Sequence, residues 1–152
     1  MTVEATILLG TAASVDATGQ VNALNLGWEI IGPSPLPSFV VLVTVKPPLD
    51  WGEQPFEIEL RLIDSTGNTV VLGEQEARRP VDLRLRGQTG PSSSRPAGLR
   101  GGTTLMVEIG PGIVLEPGIY EWIVSVDGET QPHWRRPFYV RAKPDEFPPQ
   151  LR

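Results

Sequence analysis

Residues 115–129 read LEPGIYEWIVSVDGE, and the reading of this stretch decides the fold class. Glu116-Pro117-Gly118-Ile119 sets Pro and Gly at the two central positions of a type II turn. There Pro117 fixes φ near about −65° and Gly118 supplies the positive φ that side chains resist. Tyr120, Trp122, Val124 and Val126 then alternate with Glu121, Ile123, Ser125 and Asp127. That period of two, in β-branched and aromatic residues, predicts a strand with one buried face. Ile123 predicts partial cover on the other face. Asp127-Gly128 predicts a two-residue hairpin turn of type I′. The return, 129–141, contains Pro132 and Pro137, which donate no backbone hydrogen bond, so it is expected at a sheet edge or broken by a bulge.

Outward from this hairpin the same signals recur. TVEATILLGTA (2–12) predicts a first strand, Asp16-Ala17-Thr18-Gly19 a turn, and VNALNLGWEII (21–31) a second strand with Gly27 at a bulge. Pro33, Pro35 and Pro37 make an extended connection that excludes helix. SFVVLVTV (38–45) is almost continuously apolar, as suits a central strand covered on both sides. Phe56, Ile58, Leu60 and Leu62 against Glu57, Glu59 and Arg61 predict a half-buried strand, and residues 64–68 a hairpin loop with 69–72 pairing back. Further strands are expected at 81–86 and 103–109. Eight or nine short strands at turn-punctuated spacing predict a single antiparallel, immunoglobulin-like β-sandwich over 1–141. GQTGPSSSRPAGLRGG (87–102) predicts a long flexible loop, and AKPDEFPPQLR (142–152) an extended Pro-rich tail.

Composition narrows the functions. A chain of 152 residues with 16 Pro and 16 Gly leaves little room for long helices but enough for a two-layer core. No run approaches the roughly 18 apolar residues of a membrane span, and MTVEATILLG carries Glu4 where a signal peptide has basic residues. With no Cys, disulfides, thiolate nucleophiles and Cys-based zinc sites are excluded, and a cytoplasmic protein is expected. A net charge of −5 argues against a nucleic-acid partner.

Residues that carry chemistry are few. His133 is the only histidine, so multi-histidine metal sites are excluded. There is no G-x-S-x-G, no Walker lysine after Gly101-Gly102 and no EF-hand loop. Glu57 and Glu59 share one strand face, where they would meet a glycosidic bond or a cation, or form a solvated face. Arg78, Arg79, Arg84, Arg86, Arg95 and Arg100 gather six of thirteen basic residues within 78–100, whereas residues 1–64 hold eight acids against Lys46 and Arg61. That polarity would steer an acidic partner or head-to-tail self-association, or else is a solvated strand face. Trp51 and Trp134 neighbour Pro, Gly and charges. Exposed, either would be a sugar platform or a protein hot spot; buried, a cap on the core.

The opening ILLGTAASVDATGQVNALNLGWEII and the closing LEPGIYEWIVSVDGE with its FYV strand resemble a family of small bacterial proteins, common in actinobacteria, known only as a domain of unknown function. The resemblance spans most of 2–141 and implies a sandwich, with no catalytic residue to carry over. PGIYEWIVSVDG also resembles late strands of immunoglobulin-like domains, which would make Tyr120 a corner anchor. The expectation is therefore a cofactor-free, non-enzymatic module that binds a protein partner or itself, with Arg78, Arg79, Arg84, Arg86, Trp51 and Trp134 as candidate contacts. The alternative is a carbohydrate-binding module. An enzyme would need His133 within hydrogen-bond reach of a carboxylate in a cleft.

Overall fold

The apolar alternations become twelve strands in a computed structural model that describes residues 2–88, 99 and 101–144. They are β1 (Glu4–Gly10), β2 (Ala12–Val15), β3 (Val21–Leu24), β4 (Ile30–Ile31), β5 (Phe39–Lys46), β6 (Phe56–Ile63), β7 (Val71–Leu72), β8 (Arg79–Pro80), β9 (Asp82–Gly87), β10 (Thr103–Ile109), β11 (Gly118–Val126) and β12 (Arg135–Val140). A three-stranded sheet in the order β1-β5-β10 faces a five-stranded sheet in the order β4-β12-β11-β6-β9, with small ribbons β2-β3 and β7-β8 beside them. The all-β sandwich is as the alternation predicts. The extra strands are short pieces, such as β4, β7 and β8, that sequence merges with their neighbours or passes over.

The core fills from both sheets with the residues of one parity. Ile7 and Leu9 of β1, Val41, Val43 and Val45 of β5, Ile58 and Leu60 of β6, Trp122 and Val124 of β11 and Phe138 and Val140 of β12 are all buried. β5 is buried on its other face too at Val40 and Leu42, as its unbroken apolar run requires.

Two departures have local causes. Residues 21–31 form two strands, because Asn25 and Gly27 adopt positive φ (52° and 85°) and turn the chain out of the ribbon. Gly27 N–H donates to Leu9 O (2.7 Å), and the chain re-enters as β4. β4 then pairs with β12 in parallel, Tyr139 opposite Ile30 and Val140 opposite Ile31, so the five-stranded sheet is antiparallel except at this edge. Tyr139 and Arg141 donate their N–H groups toward β4, to Glu29 O and Ile31 O. Pro137, of the same parity, turns its donorless nitrogen where β4 has not begun, the place an edge proline needs.

The hairpin at 127–128 is type I′, with φ of 49° at Asp127 and 82° at Gly128 and reciprocal bonds between Val126 and Glu129. Gly118 has φ 147°, wider than the about 80° of a type II turn, because it already begins β11. The corner is closed instead by Tyr120, whose hydroxyl donates to Glu116 O at 2.8 Å, the tie expected of an immunoglobulin-like corner. Burial and the nearby Glu116 and Asp64 carboxylates hold this phenol above its ordinary pKa. Tyr120→Phe is expected to lower the unfolding free energy by about 1–2 kcal/mol, because Glu116 O loses its partner. An unchanged urea midpoint would show that the corner bond contributes nothing.

Two turns share one device. In D-A-T-G-Q (16–20), Asp16 Oδ1 accepts from Thr18 N, Thr18 Oγ1 and Gln20 N at 2.8, 2.6 and 3.0 Å. In D-S-T-G-N (64–68), Asp64 Oδ1 accepts from Thr66 N, Thr66 Oγ1 and Asn68 N at 2.9, 2.6 and 3.1 Å. The threonine hydroxyls first, then the backbone N–H groups, hold both carboxyls below their ordinary pKa. A carboxyl depressed in the folded state stabilises it above the unfolded pKa and ceases to as pH falls through the folded value. The thermal midpoint is therefore expected to fall below about pH 4, with a shallower acid slope in Asp16→Asn/Asp64→Asn. An identical slope in that variant would refute the assignment.

Candidate binding site at the loop end of the sandwich

At one end of the sandwich three segments converge: residues 2–4, the β5–β6 connection, and the β11–β12 hairpin. Pro47 and Pro48 end the β5 ladder, since neither offers a donor. A 3-10 turn (Leu49–Trp51) follows, closed by Trp51 N to Pro48 O (3.1 Å) and Gln54 N to Trp51 O (3.2 Å). The Trp51 ring leans on Phe56 at 6.2 Å between centroids. The hairpin is fixed to β6, because Asp127 N donates to Glu57 O (2.9 Å) and Asp127 Oδ1 accepts from Glu57 N (2.8 Å).

Beyond Glu129 the ladder breaks around Pro132, as its missing N–H dictates. Thr130 Oγ1 donates to Val124 O (2.7 Å), and Val124 N next finds Trp134 O (3.1 Å), so residues 130–133 bulge outward. The bulge carries Gln131 and His133 to the rim of a cleft of about 610 Å³. Thr2, Val3, Glu4, Pro48, Trp51, Val126, Asp127, Glu129, Gln131, His133 and Trp134 line it. Three of these are acids and none is Lys or Arg. Lys46 lies opposite Glu4 in the β1–β5 register, outside the lining.

The cleft therefore unites both candidate tryptophans, in unequal roles. Trp51 is half-buried. Trp134 is only 3% exposed and belongs to the core, so of the two alternatives it is the buried cap and not a candidate contact. It stands where the β12 ladder resumes, on the parity of Phe138 and Val140, and so faces inward. Its indole Nε1 is buried without a partner. His133 is exposed and meets Trp134 edge-on at 6.2 Å. No hydrogen bond or ion pair joins its ring to a carboxylate among the described residues.

The described arginines of the cluster do not all stand free as one positive surface. The β6–β9 register sets Glu57 opposite Arg86, Glu59 opposite Arg84 and Arg61 opposite Asp82. Arg84 bridges Glu59 (3.1 Å) and Glu57 (3.8 Å), which also takes up the two carboxylates considered for a glycosidic bond or a cation. Arg135 holds Glu121 at 3.2 Å on the same sheet. Arg79 curls back onto Glu76 O and Arg78 O (2.9 and 2.7 Å), while Arg78 is exposed beside it. Arg95 and Arg100 lie outside the described residues. Spacing along the chain shows the cluster; the acids that pair with Arg84 sit on another strand.

Sequence reasoning missed Arg136. Its side chain crosses between the sheets and donates from Nε to Ile7 O at 3.0 Å. The signal was its even parity with Trp134, Phe138 and Val140. Among the described residues no three His, Cys, Asp or Glu side chains are placed to hold a metal ion. No helix among them is long and apolar enough to cross a membrane.

No family model and no curated protein matches this chain. Among solved structures it is similar to a β-glucosidase from Listeria innocua in complex with glucose, with 15% identity and a TM-score of 0.47. The match covers 92% of this chain but only 16% of that one. A likeness this distant supports no inference about function.

Proposed function

We propose that the chain is a non-catalytic binding module acting through protein–protein interaction, and that its loop-end cleft receives a positively charged segment of the partner. The observation that carries this is the lining: Trp51 beside Glu4, Asp127 and Glu129, with no Lys or Arg among the lining residues. A lysine or arginine side chain entering there gains the carboxylates and the indole together. An acidic ligand or a phosphate backbone gains neither, so nucleic acid is not part of this reading. A cytoplasmic setting and kinship with the small actinobacterial sandwich family belong to the same proposal, prompted by the absence of cysteine and by the turn-and-strand resemblance.

A carbohydrate-binding module is the second reading, favoured by Trp51 standing near carboxylates and Gln131. Against it, Trp134 is buried and Trp51 is half-buried against Phe56, so the cleft lacks the broad exposed aromatic platform of a sugar site. The two separate by calorimetric titration with heptalysine and with cellohexaose. Heptalysine is expected to bind, weaken with salt, and lose affinity severalfold in Glu129→Gln and in Trp51→Ala. Binding of cellohexaose alone would overturn the protein reading.

A further inference from the structure

The two flanks of the sandwich are unequal. On one flank, the inward residues of β1 (Ala5, Ile7 and Leu9) are 7, 2 and 0% exposed. That edge is capped by Gly27 N–H on Leu9 O and by Arg136 on Ile7 O. On the other flank, Leu105, Val107 and Ile109 of β10 are only partly buried, as are Val81 and Leu83 beside and within β9, although all five belong to the core-facing parity. The backbone of Thr103–Ile109 bonds to β5 on one side, and no described residue bonds to it on the other. β1 packs over β12 and β11. The strand orders therefore set β10 over β6 and leave β9 projecting beyond it.

We infer that this flank accepts an extended strand from another polypeptide, added to the free edge of β10 and lying over the inward face of β9. The outward N–H and C=O groups of alternate residues along β10, which no described residue pairs, specify the occupant more narrowly than an apolar patch does. Only another extended backbone can satisfy alternating N–H and C=O groups at this spacing. Its alternate side chains must be aliphatic or β-branched, because they close over Leu83, Leu105 and Val107. The chain's own 88–102 segment contains one large aliphatic residue, Leu99, which is itself exposed, so it lacks that alternation. A second copy of β10 does not fit either. Bringing two β10 edges to the about 4.8 Å spacing of a sheet drives the projecting β9 strands into each other. β10 has no Pro, Lys or Arg to discourage pairing and one charge, Glu108, opposite which a basic residue of the added strand is favoured.

The test is amide hydrogen exchange of the full chain by NMR, with the peptide KTVTVTVTK as probe and its N-methylated analogue as control. In the free protein, alternate amides of 103–109 are expected to exchange fast while those bonded to β5 persist. The peptide is expected to slow the fast set on the order of tenfold at several times its dissociation constant; the N-methylated analogue, which cannot pair, is expected to leave them unchanged. Outward amides already protected in the free chain would overturn the inference. So would rates unchanged by the peptide, or equal effects of the two peptides. A failure here leaves the heptalysine result at the opposite site untouched, since that cleft shares no residue with this flank.

Discussion

Trp122→Ala is expected to lower the unfolding free energy by about 3–5 kcal/mol, the range for deleting a large buried aromatic. Trp122 is 1% exposed in β11, which lies between β12 and β6 at the centre of the five-stranded sheet. Trp122 belongs to the core cluster to which both sheets contribute, so little of the lost burial is expected to be recovered by solvent. Its indole Nε1 has no hydrogen-bond partner, so the loss is one of packing rather than of polar contact. Trp122→Phe should therefore recover much of it. Urea unfolding of the three proteins checks this; a loss under about 1 kcal/mol for the alanine variant would mean the core is not centred on β11.

Gly87→Val carries the second large effect. Glycine there is required by space, since a Cβ would stand 2.5 and 2.7 Å from ring atoms of Phe56. Phe56 is buried and supports Trp51, so the ring has little room to retreat. Overpacking of this kind costs about 1–3 kcal/mol. It should also shift the Trp51 environment, because the displaced ring is the one on which that indole leans. Denaturation together with the Trp51 indole N–H resonance of the otherwise intact chain reads both. Stability lost with Trp51 unmoved would separate the β9 edge from the cleft.

How much was legible in the sequence follows from the range of each interaction. Turn chemistry is local, so Asp127-Gly128 disclosed its type I′ geometry, and residues 64–68 their place as a loop, from the residue types alone. Parity is local too, and the inward rows of β6 and β11 follow directly from their alternation. Register is not local. That Glu59 meets Arg84, or that Asp127 ties the hairpin to Glu57, depends on which strands become neighbours, so the arginine cluster looked freer than it is. Trp134 stayed open between cap and exposed contact for a related reason: Pro132 and the bulge at 130–133 reset the parity of the return strand. The cleft could not be read at all, since its walls come from residues 2–4, 48–51 and 126–134. Only the two tryptophans and the single histidine, His133, among them stood out by type.

The proposed binding role rests on that cleft, and the most direct measurement is an amide and indole NMR titration of the intact chain with heptalysine. The account predicts shifts concentrated at Trp51, Gln131 and His133, suppressed by salt and by Glu4→Gln/Glu129→Gln. Shifts scattered over the sheet faces, or unchanged in that variant, would contradict it.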